Sequence, residues 1–250
     1  MEQLLEIAKQ IEEEIETKKK NLMVEEAKMW KQWEIVAEKI KQGKNFKRKI
    51  KPFKCCTEEY GDGDTVTTCT YTDGKIYKGE IKYDNRHGLG QIICPDGDIY
   101  TRYNHYNVPS KFGVYEFSDG SSYRGSISTK RHGFGIYNSS LGYYVGVFSK
   151  DKRTGNGILY DQEVKIVGDR ENGKLNGFCM ETRGSQLIYL GYIENGKRYG
   201  VGYREFNNDI VGEEYEEGMV KKVVEIIHNP FKKAIYSIKA FTDILITLSQ

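Results

Sequence analysis

Four histidines, five cysteines and 36 acidic side chains are the groups in this 250-residue chain that could bind a metal, attack a carbonyl or move a proton. Their spacing argues against all three. His87 and His132 each sit in an H-G-x-G tetrad, and neither has a Cys, His or carboxylate at ligand spacing, so a structural role in a hairpin claims them first. His105 and His228 stand isolated in the sequence. The adjacent pair Cys55-Cys56 lies beside a basic run and could carry a lipid or a redox function, but two neighbouring cysteines in a loop specify neither. Together with Cys69, Cys94 and Cys179 they show no CxxC spacing and no even disulfide framework, and no apolar leader follows Met1, which implies a reducing, intracellular setting. No glycine-rich phosphate loop joins a strand to a helix, and no nucleophile elbow or paired-carboxylate constellation appears. The expectation is a non-enzymatic chain with no catalytic residue, no cofactor and no metal.

Charge supplies the chemistry that remains. Lys39, Lys41, Lys44, Lys47, Arg48, Lys49, Lys51 and Lys54 fall within sixteen residues that contain no acid, interleaved with Phe46, Ile50 and Phe53. Such a run suits an anionic surface, either acidic protein tails or lipid headgroups, with Lys47, Arg48, Lys49 and Lys51 at its centre; a solvated linker is the plain alternative. Nucleic acid ranks last, because the net charge of the whole chain is only +2. The longest apolar stretches are broken well before the roughly 20 residues that span a bilayer. Trp30 and Trp33 are the only tryptophans and lie one helical turn apart, which makes them the strongest candidates for anchoring a partner protein.

The elements that would position these groups follow from an internal repeat. Units open at Tyr77, Tyr100, Tyr123, Tyr144, Ile166, Tyr189 and Ile210, spaced 23, 23, 21, 22, 23 and 21 residues apart. Two residues after each opening stands Gly79, Arg102, Gly125, Gly146, Gly168, Gly191 or Gly212. At mid-period come His87-Gly88-Leu89-Gly90, the decayed Ser110-Lys111-Phe112-Gly113, and His132-Gly133-Phe134-Gly135. Thr154-Gly155-Asn156-Gly157, Asn176-Gly177-Phe178-Cys179 and Tyr199-Gly200-Val201-Gly202 continue the series. Asp-Gly and Asn-Gly dipeptides supply the positive φ of tight turns, so each unit reads as one β-hairpin, too short for a βαβ crossover. A flat ring such as Tyr123 can lie across the neighbouring strand only where a side chain is missing, which gives the glycines a packing role. Nineteen tyrosines against two tryptophans fit a sheet with wet faces.

Tyr-x-Gly, H-G-x-G and Asp-Gly at this spacing resemble the MORN repeat (membrane occupation and recognition nexus). The resemblance covers residues 71 to 218, is almost complete from Tyr77 to Ile99, and departs at Arg102, Ser110, Lys111 and Cys179. It implies a mainly β fold: an elongated, single-layer antiparallel meander of hairpins whose structural residues are Tyr77, Gly79, Gly88, Gly90, Tyr123, Gly125, Gly133, Gly135, Tyr144, Gly146, Gly155, Gly157, Tyr189, Gly191, Gly200 and Gly202.

Outside the repeats, residues 1–43 lack proline and contain glycine only as the stop at Gly43. Apolar residues recur at Leu4, Ala8, Ile11, Ile15, Leu22, Met29, Trp33, Val36 and Ile40, which predicts a long amphipathic helix. Its length, about 60 Å at 1.5 Å per residue, matches six hairpins laid side by side. The helix could therefore cover its own sheet, or pair with another protein as a coiled-coil seam. Residues 44–70 read as a basic linker and N-terminal cap. In 219–250, Met219 to Ile227 reads as a last strand, and Asn229-Pro230 opens a C-terminal amphipathic helix carrying Phe231, Ala234, Ile235, Ile238, Phe241, Leu245 and Leu248. That helix would cap the sheet edge or meet a partner.

MORN-repeat proteins commonly occupy cytoskeletal positions, in cilia, basal structures and division machinery. The resemblance thus implies a scaffold that holds partner proteins in such an assembly, ciliary or axonemal, through its terminal helices, with pairing to a second copy left open. A peripheral adaptor that binds anionic lipid through residues 39–54 is the alternative.

Overall fold

The computed structural model describes residues 1–42, 49–50, 65–83, 85–128 and 130–228. One helix, α1 (Glu2–Gln42), precedes sixteen strands that lie in a single sheet in sequence order. The chain divides into two compact units, Lys18–Ser140 with Ser149–Asp151, and Met1–Thr17 with Leu141–Phe148 and Lys152–Gln250.

The first of these carries β1 (Lys49–Ile50), β2 (Thr65–Tyr71), β3 (Ile76–Lys82), β4 (Asn85–Ile93), β5 (Ile99–His105), β6 (Val108–Glu116), β7 (Ser122–Ile127) and β8 (Arg131–Ser139). The second carries β9 (Gly142–Ser149), β10 (Lys152–Asp161), β11 (Val164–Glu171), β12 (Lys174–Arg183), β13 (Gln186–Glu194), β14 (Lys197–Phe206), β15 (Asp209–Glu216) and β16 (Met219–Ile227). The expected antiparallel meander of hairpins is thus present. Two strands fall in the stretch read as linker and cap: β2, and β1, which pairs with β2 in parallel, Lys49 opposite Thr70 and Ile50 opposite Tyr71. The predicted C-terminal helix lies outside the described residues.

The H-G-x-G tetrads lie at bulges inside strands rather than at turns between them. In β3 and β4, Gly79 pairs with Gly90 while Ile81 pairs with Arg86, so His87, Gly88 and Leu89 stand opposite the single residue Glu80. Gly88 takes a φ of 66°, and a Cβ there would run into the Glu80 carboxylate, whose Oε2 accepts the Leu89 N–H at 3.0 Å. The same slip recurs in β7 and β8, where Gly125 pairs with Gly135 and Ile127 with Arg131. Bulges of this kind bend a strand and raise its twist.

Alternation gives the sheet two different faces. In β3 and β7 the burial alternates residue by residue, and Tyr77 and Tyr123 on one face are wholly buried. The opposite face receives α1. Within the first unit, Met29 and Val36 of α1 form one buried cluster with Leu89 of β4 and Val114 of β6. Both helix residues are fully buried, each contributing roughly 1.5–3 kcal/mol of transfer free energy. Glu26 of α1 meets Arg124 of β7 at 3.2 Å, and Lys18 lies over the Phe134 ring. Within the second unit, Leu5, Ala8, Ile11 and Ile15 are buried, and Glu12 pairs with Lys165 of β11 at 2.7 Å. Leu5 rather than Leu4 completes the stripe. Of the two readings the sequence left open, the helix covers its own sheet.

At the far end, β16 pairs only with β15 among the described strands, and Met219, Val220, Val223 and Ile226 stay exposed.

Candidate docking face

The repeat residues build one device. The Tyr77 hydroxyl donates to the Glu80 carbonyl at 2.8 Å, Tyr123 to Ser126 at 2.8 Å, Tyr144 to Val147 at 3.5 Å and Tyr189 to Tyr192 at 2.8 Å. Each acceptor lies three residues on, and for Tyr77, Tyr123 and Tyr189 it stands at the bulge, where the ladder is interrupted. To reach it, the ring crosses a pair of strands at the point where both carry glycine. A Cβ at Gly90 would stand 2.6 Å from Cζ of Tyr77, and a Cβ at Gly135 would stand 2.6 Å from Cζ of Tyr123. Gly146 and Gly157 serve Tyr144 in the same way, as do Gly191 and Gly202 for Tyr189. Burial raises all four phenols above the ordinary tyrosine pKa, in keeping with hydroxyls that stay protonated and donate. Gly155 and Gly200 have positive φ with open space around them, while Gly133 faces Ser126.

Of the six units that carry a mid-period tetrad, two depart from this device, each with a compensation. In the fifth, Ile166 replaces tyrosine, and Cys179 stands opposite Gly168, in the second glycine position that no ring now crosses. Burial pushes the Cys179 thiol up to about 12, so it is a small apolar filler rather than a nucleophile. In the second unit Arg102 takes the place of the first glycine. Tyr100 there bonds Asp98 at 3.0 Å and packs edge-on against Tyr115, ring centroids 4.4 Å apart. Arg102 Nη1 donates to the Tyr115 hydroxyl at 3.0 Å, while its buried Nε has no hydrogen-bond partner among the described residues.

A set of arginines that the sequence reading passed over completes the face. Arg86, Arg131, Arg153 and Arg198 each stand immediately before the mid-period tetrad of their unit. Arg131 lies 5.8 Å from the Tyr123 ring centroid, Arg153 4.8 Å from Tyr144, and Arg198 4.4 Å from Tyr189. Where this position is Pro109 or Leu175, Arg102 or Arg170 supplies a guanidinium from the partner strand instead. Arg170 sits opposite Leu175, 5.0 Å from the Tyr144 ring, and its Nη1 donates to the carbonyls of Gly157 and Gly168 at 3.3 Å each. The signal was legible as a basic residue recurring with the repeat period. These arginines fall one to a repeat along the chain, so no single cluster of charge marks them.

In the first unit this face encloses a groove of about 1000 Å³. Tyr100, Tyr115 and Tyr137 form its aromatic wall, and Arg86, Arg102 and Arg131 its basic one. Asp151 accepts from the Arg131 N–H at 3.0 Å and from its Nε at 3.3 Å. At the equivalent position beside Arg86 stands the neutral Asn107, which accepts from the Arg86 N–H at 2.9 Å and from its Nε at 3.4 Å. Among the described residues an arginine is thus paired with a carboxylate in one repeat and with a neutral amide in the other.

The histidines correct one expectation. His87 and His105 are not isolated from each other: their rings lie 5.1 Å apart, both against Tyr106. The register of β4 on β5, Gly88 opposite Asn104, makes them neighbours, which spacing along the chain could not show. His228 Nδ1 lies 3.2 Å from Asp209. No group of three or more His, Cys, Asp or Glu among the described residues could hold a metal. Cys69 is disulfide-bonded, whereas Cys94 and Cys179 are free.

Trp30 and Trp33 are half-buried and pack against the Met29, Val36, Leu89 and Val114 cluster, with Trp30 Nε1 donating to Glu26 at 3.2 Å. Of the basic run, Lys47, Arg48 and Lys51 lie outside the described residues, as do Cys55 and Cys56, and Lys49 is placed only by the backbone of β1. No described helix is long and apolar enough to cross a membrane.

The MORN repeat family model matches residues 77–99 and 144–162, the two stretches that open at Tyr77 and Tyr144. The chain therefore carries MORN repeats. No curated protein matches it in sequence. Among solved structures it is similar to the TCP domain of SAS-4 (dCPAP) of Drosophila melanogaster, solved in complex with a proline-rich motif of Ana2 (dSTIL). Identity is 11% over 64% of this chain and 89% of that one, with a TM-score of 0.32, at which the likeness carries no functional argument.

Proposed function

We propose that this chain is a non-enzymatic scaffold that holds partner proteins in a cytoskeletal assembly, ciliary or axonemal, and that it docks them on the tyrosine and arginine face of its sheet. The observation that carries this reading is the unequal use of the two faces. The apolar stripe of α1 is spent on one face, through Met29 and Val36 in the first unit and Ile11 and Ile15 in the second. The other presents guanidinium groups and the half-buried rings of Tyr100, Tyr115 and Tyr137, side chains of the kinds that dominate protein interfaces. The outward edges of Trp30 and Trp33, with the exposed Ile35, give α1 a second contact. The MORN repeats support a role in protein interaction over one in catalysis.

A second reading, a peripheral adaptor on anionic lipid, is favoured by one feature, the eight positive charges without an acid between Lys39 and Lys54. Co-sedimentation of the full chain with polymerised tubulin and with anionic liposomes separates the two. The scaffold reading expects pelleting with the polymer and not with the vesicles. Reversing Lys47, Arg48, Lys49 and Lys51 to glutamate abolishes vesicle pelleting if the adaptor reading holds. Pelleting with neither surface would remove both assignments.

A further inference from the structure

The second repeat is where the pattern breaks, and the breaks converge on one place. Arg102 replaces glycine, Pro109 replaces arginine and Ser110-Lys111 replaces His-Gly, and Arg102 and Pro109 both line the groove of about 1000 Å³. With Arg102 in place of the first glycine and its Cβ packed on Gly113, Tyr100 lies against Tyr115, and Arg102 supplies a buried Nε without a hydrogen-bond partner among the described residues. A buried donor left unpaired loses its hydration without return. A fold that needed only regularity would carry glycine there, as the units opening at Tyr77 and Tyr123 do.

The charges of the groove are unevenly spent. Lys75 pairs with Asp73 at 2.8 Å, and Lys130 and Arg131 with Asp151 at 3.8 and 3.3 Å. Arg86 has only the neutral Asn107, and Arg102 only the Tyr115 hydroxyl. Neither forms an ion pair among the described residues. Two uncompensated guanidinium groups in an aromatic groove call for carboxylates, which Arg meets bidentately.

The geometry points to an extended acidic peptide segment of a partner protein as the occupant, its carboxylates on Arg86 and Arg102 and an aromatic side chain against Tyr100, Tyr115 and Tyr137. This rests on the docking role of the same face and gives the partner its chemistry. A polyanion fits less well. Asp98, Asp119 and Asp151 also line the groove, so a continuous row of phosphates would meet like charge. A peptide can space its carboxylates around them and offer them its backbone N–H groups.

The test uses the full chain and fluorescence anisotropy with a labelled random copolymer of glutamate and tyrosine, against heparin and vesicles of phosphatidylserine. Arg102→Gly restores the residue found at the equivalent position of the other repeats, so it keeps the fold, checked by circular dichroism. It should weaken copolymer binding about tenfold or more. Arg86→Gln should act in the same direction, while Lys31→Gln, an equal charge change on the exposed side of α1, should leave binding unchanged. Equal copolymer affinity for the native chain and Arg102→Gly overturns the inference, and tubulin pelleting that persists in that variant would leave the scaffold reading in place. Heparin or vesicles binding more tightly than the copolymer, and losing that binding in Arg102→Gly, overturns the peptide assignment. Arg102-dependent copolymer binding by a chain that does not pellet with tubulin keeps the groove and removes the cytoskeletal assignment.

Discussion

The Tyr123 hydroxyl lies 2.8 Å from the carbonyl oxygen of Ser126, three residues further along the same strand. Ser126 is the residue that the bulge of β8 leaves facing three others, and its carbonyl accepts from the phenol at that interruption of the ladder. The ring reaches it by crossing Gly125 and Gly135. Aromatic packing, the paired glycines and the satisfied carbonyl are therefore one arrangement, and each part fails without the others.

Removing only the hydroxyl isolates one part. Tyr123→Phe keeps the ring and leaves a buried carbonyl unpaired, which should cost about 1–3 kcal/mol. Tyr100→Phe, whose hydroxyl bonds Asp98 instead, should cost less. Urea denaturation of both variants measures the difference, and equal losses would mean that the bond to Ser126 contributes nothing.

Gly135→Val places a branched side chain where a Cβ alone would stand 2.6 Å from the Tyr123 ring. The ring must leave its site, and the loss should approach that of emptying it, about 3–5 kcal/mol. Lys130→Val removes one end of a 3.8 Å ion pair whose lysine is 59% exposed and should change stability by less than about 1 kcal/mol. Thermal melting of the two variants compares them directly.

How much of this was legible beforehand depended on whether a feature lived along the chain or across it. Tyr77, Gly79 and Gly90 recur by period, so hairpins and glycine packing could be read directly. That His87-Gly88 forms a bulge could not be, because the deciding partner is Glu80 on the adjacent strand. The neighbourhood of His87 and His105 and the exchange of Arg170 for the missing arginine at Leu175 are likewise facts of register. The stripe of α1 was visible in its spacing, but amphipathicity names no partner. Only contact with Leu89 and Val114 settled which surface it covers.

That contact has its own consequence for the helix. Val36 and Met29 are fully buried against the sheet, whereas Trp33 is half-buried at the margin of the same cluster. Met29→Ala should destabilise the chain by about 2–5 kcal/mol and lower the cooperativity of unfolding. Replacing both Trp30 and Trp33 with alanine should leave the β signal in circular dichroism largely intact and weaken partner association. Loss of that signal in the double variant would make the tryptophans core residues and remove their docking role.

Two buried carboxylates should respond to acid in opposite ways. Glu213 is held below the ordinary carboxylate range by hydrogen bonds from Arg204 at 2.8 Å and from the Tyr215 hydroxyl at 2.6 Å. Its contribution is thus present above the unfolded value of about 4.3 and is lost as pH falls through the lower folded value. Glu12 is raised instead, because burial outweighs its attraction to Lys165. Its linked stability is present below about pH 4.3 and is lost as pH rises through the raised folded value, so at neutral pH its charge opposes folding. Glu213→Gln should therefore lower the urea midpoint at pH 7, with the gap to the native chain closing as the pH falls below about 4. Replacing Glu12 with leucine and Lys165 with methionine together should be neutral or stabilising at pH 7, while Glu12→Leu alone strands the lysine charge and should cost about 3 kcal/mol. A double variant less stable than the single one would show that the Glu12–Lys165 pair, and not the apolar stripe around it, fixes the N-terminal part of α1 to β11.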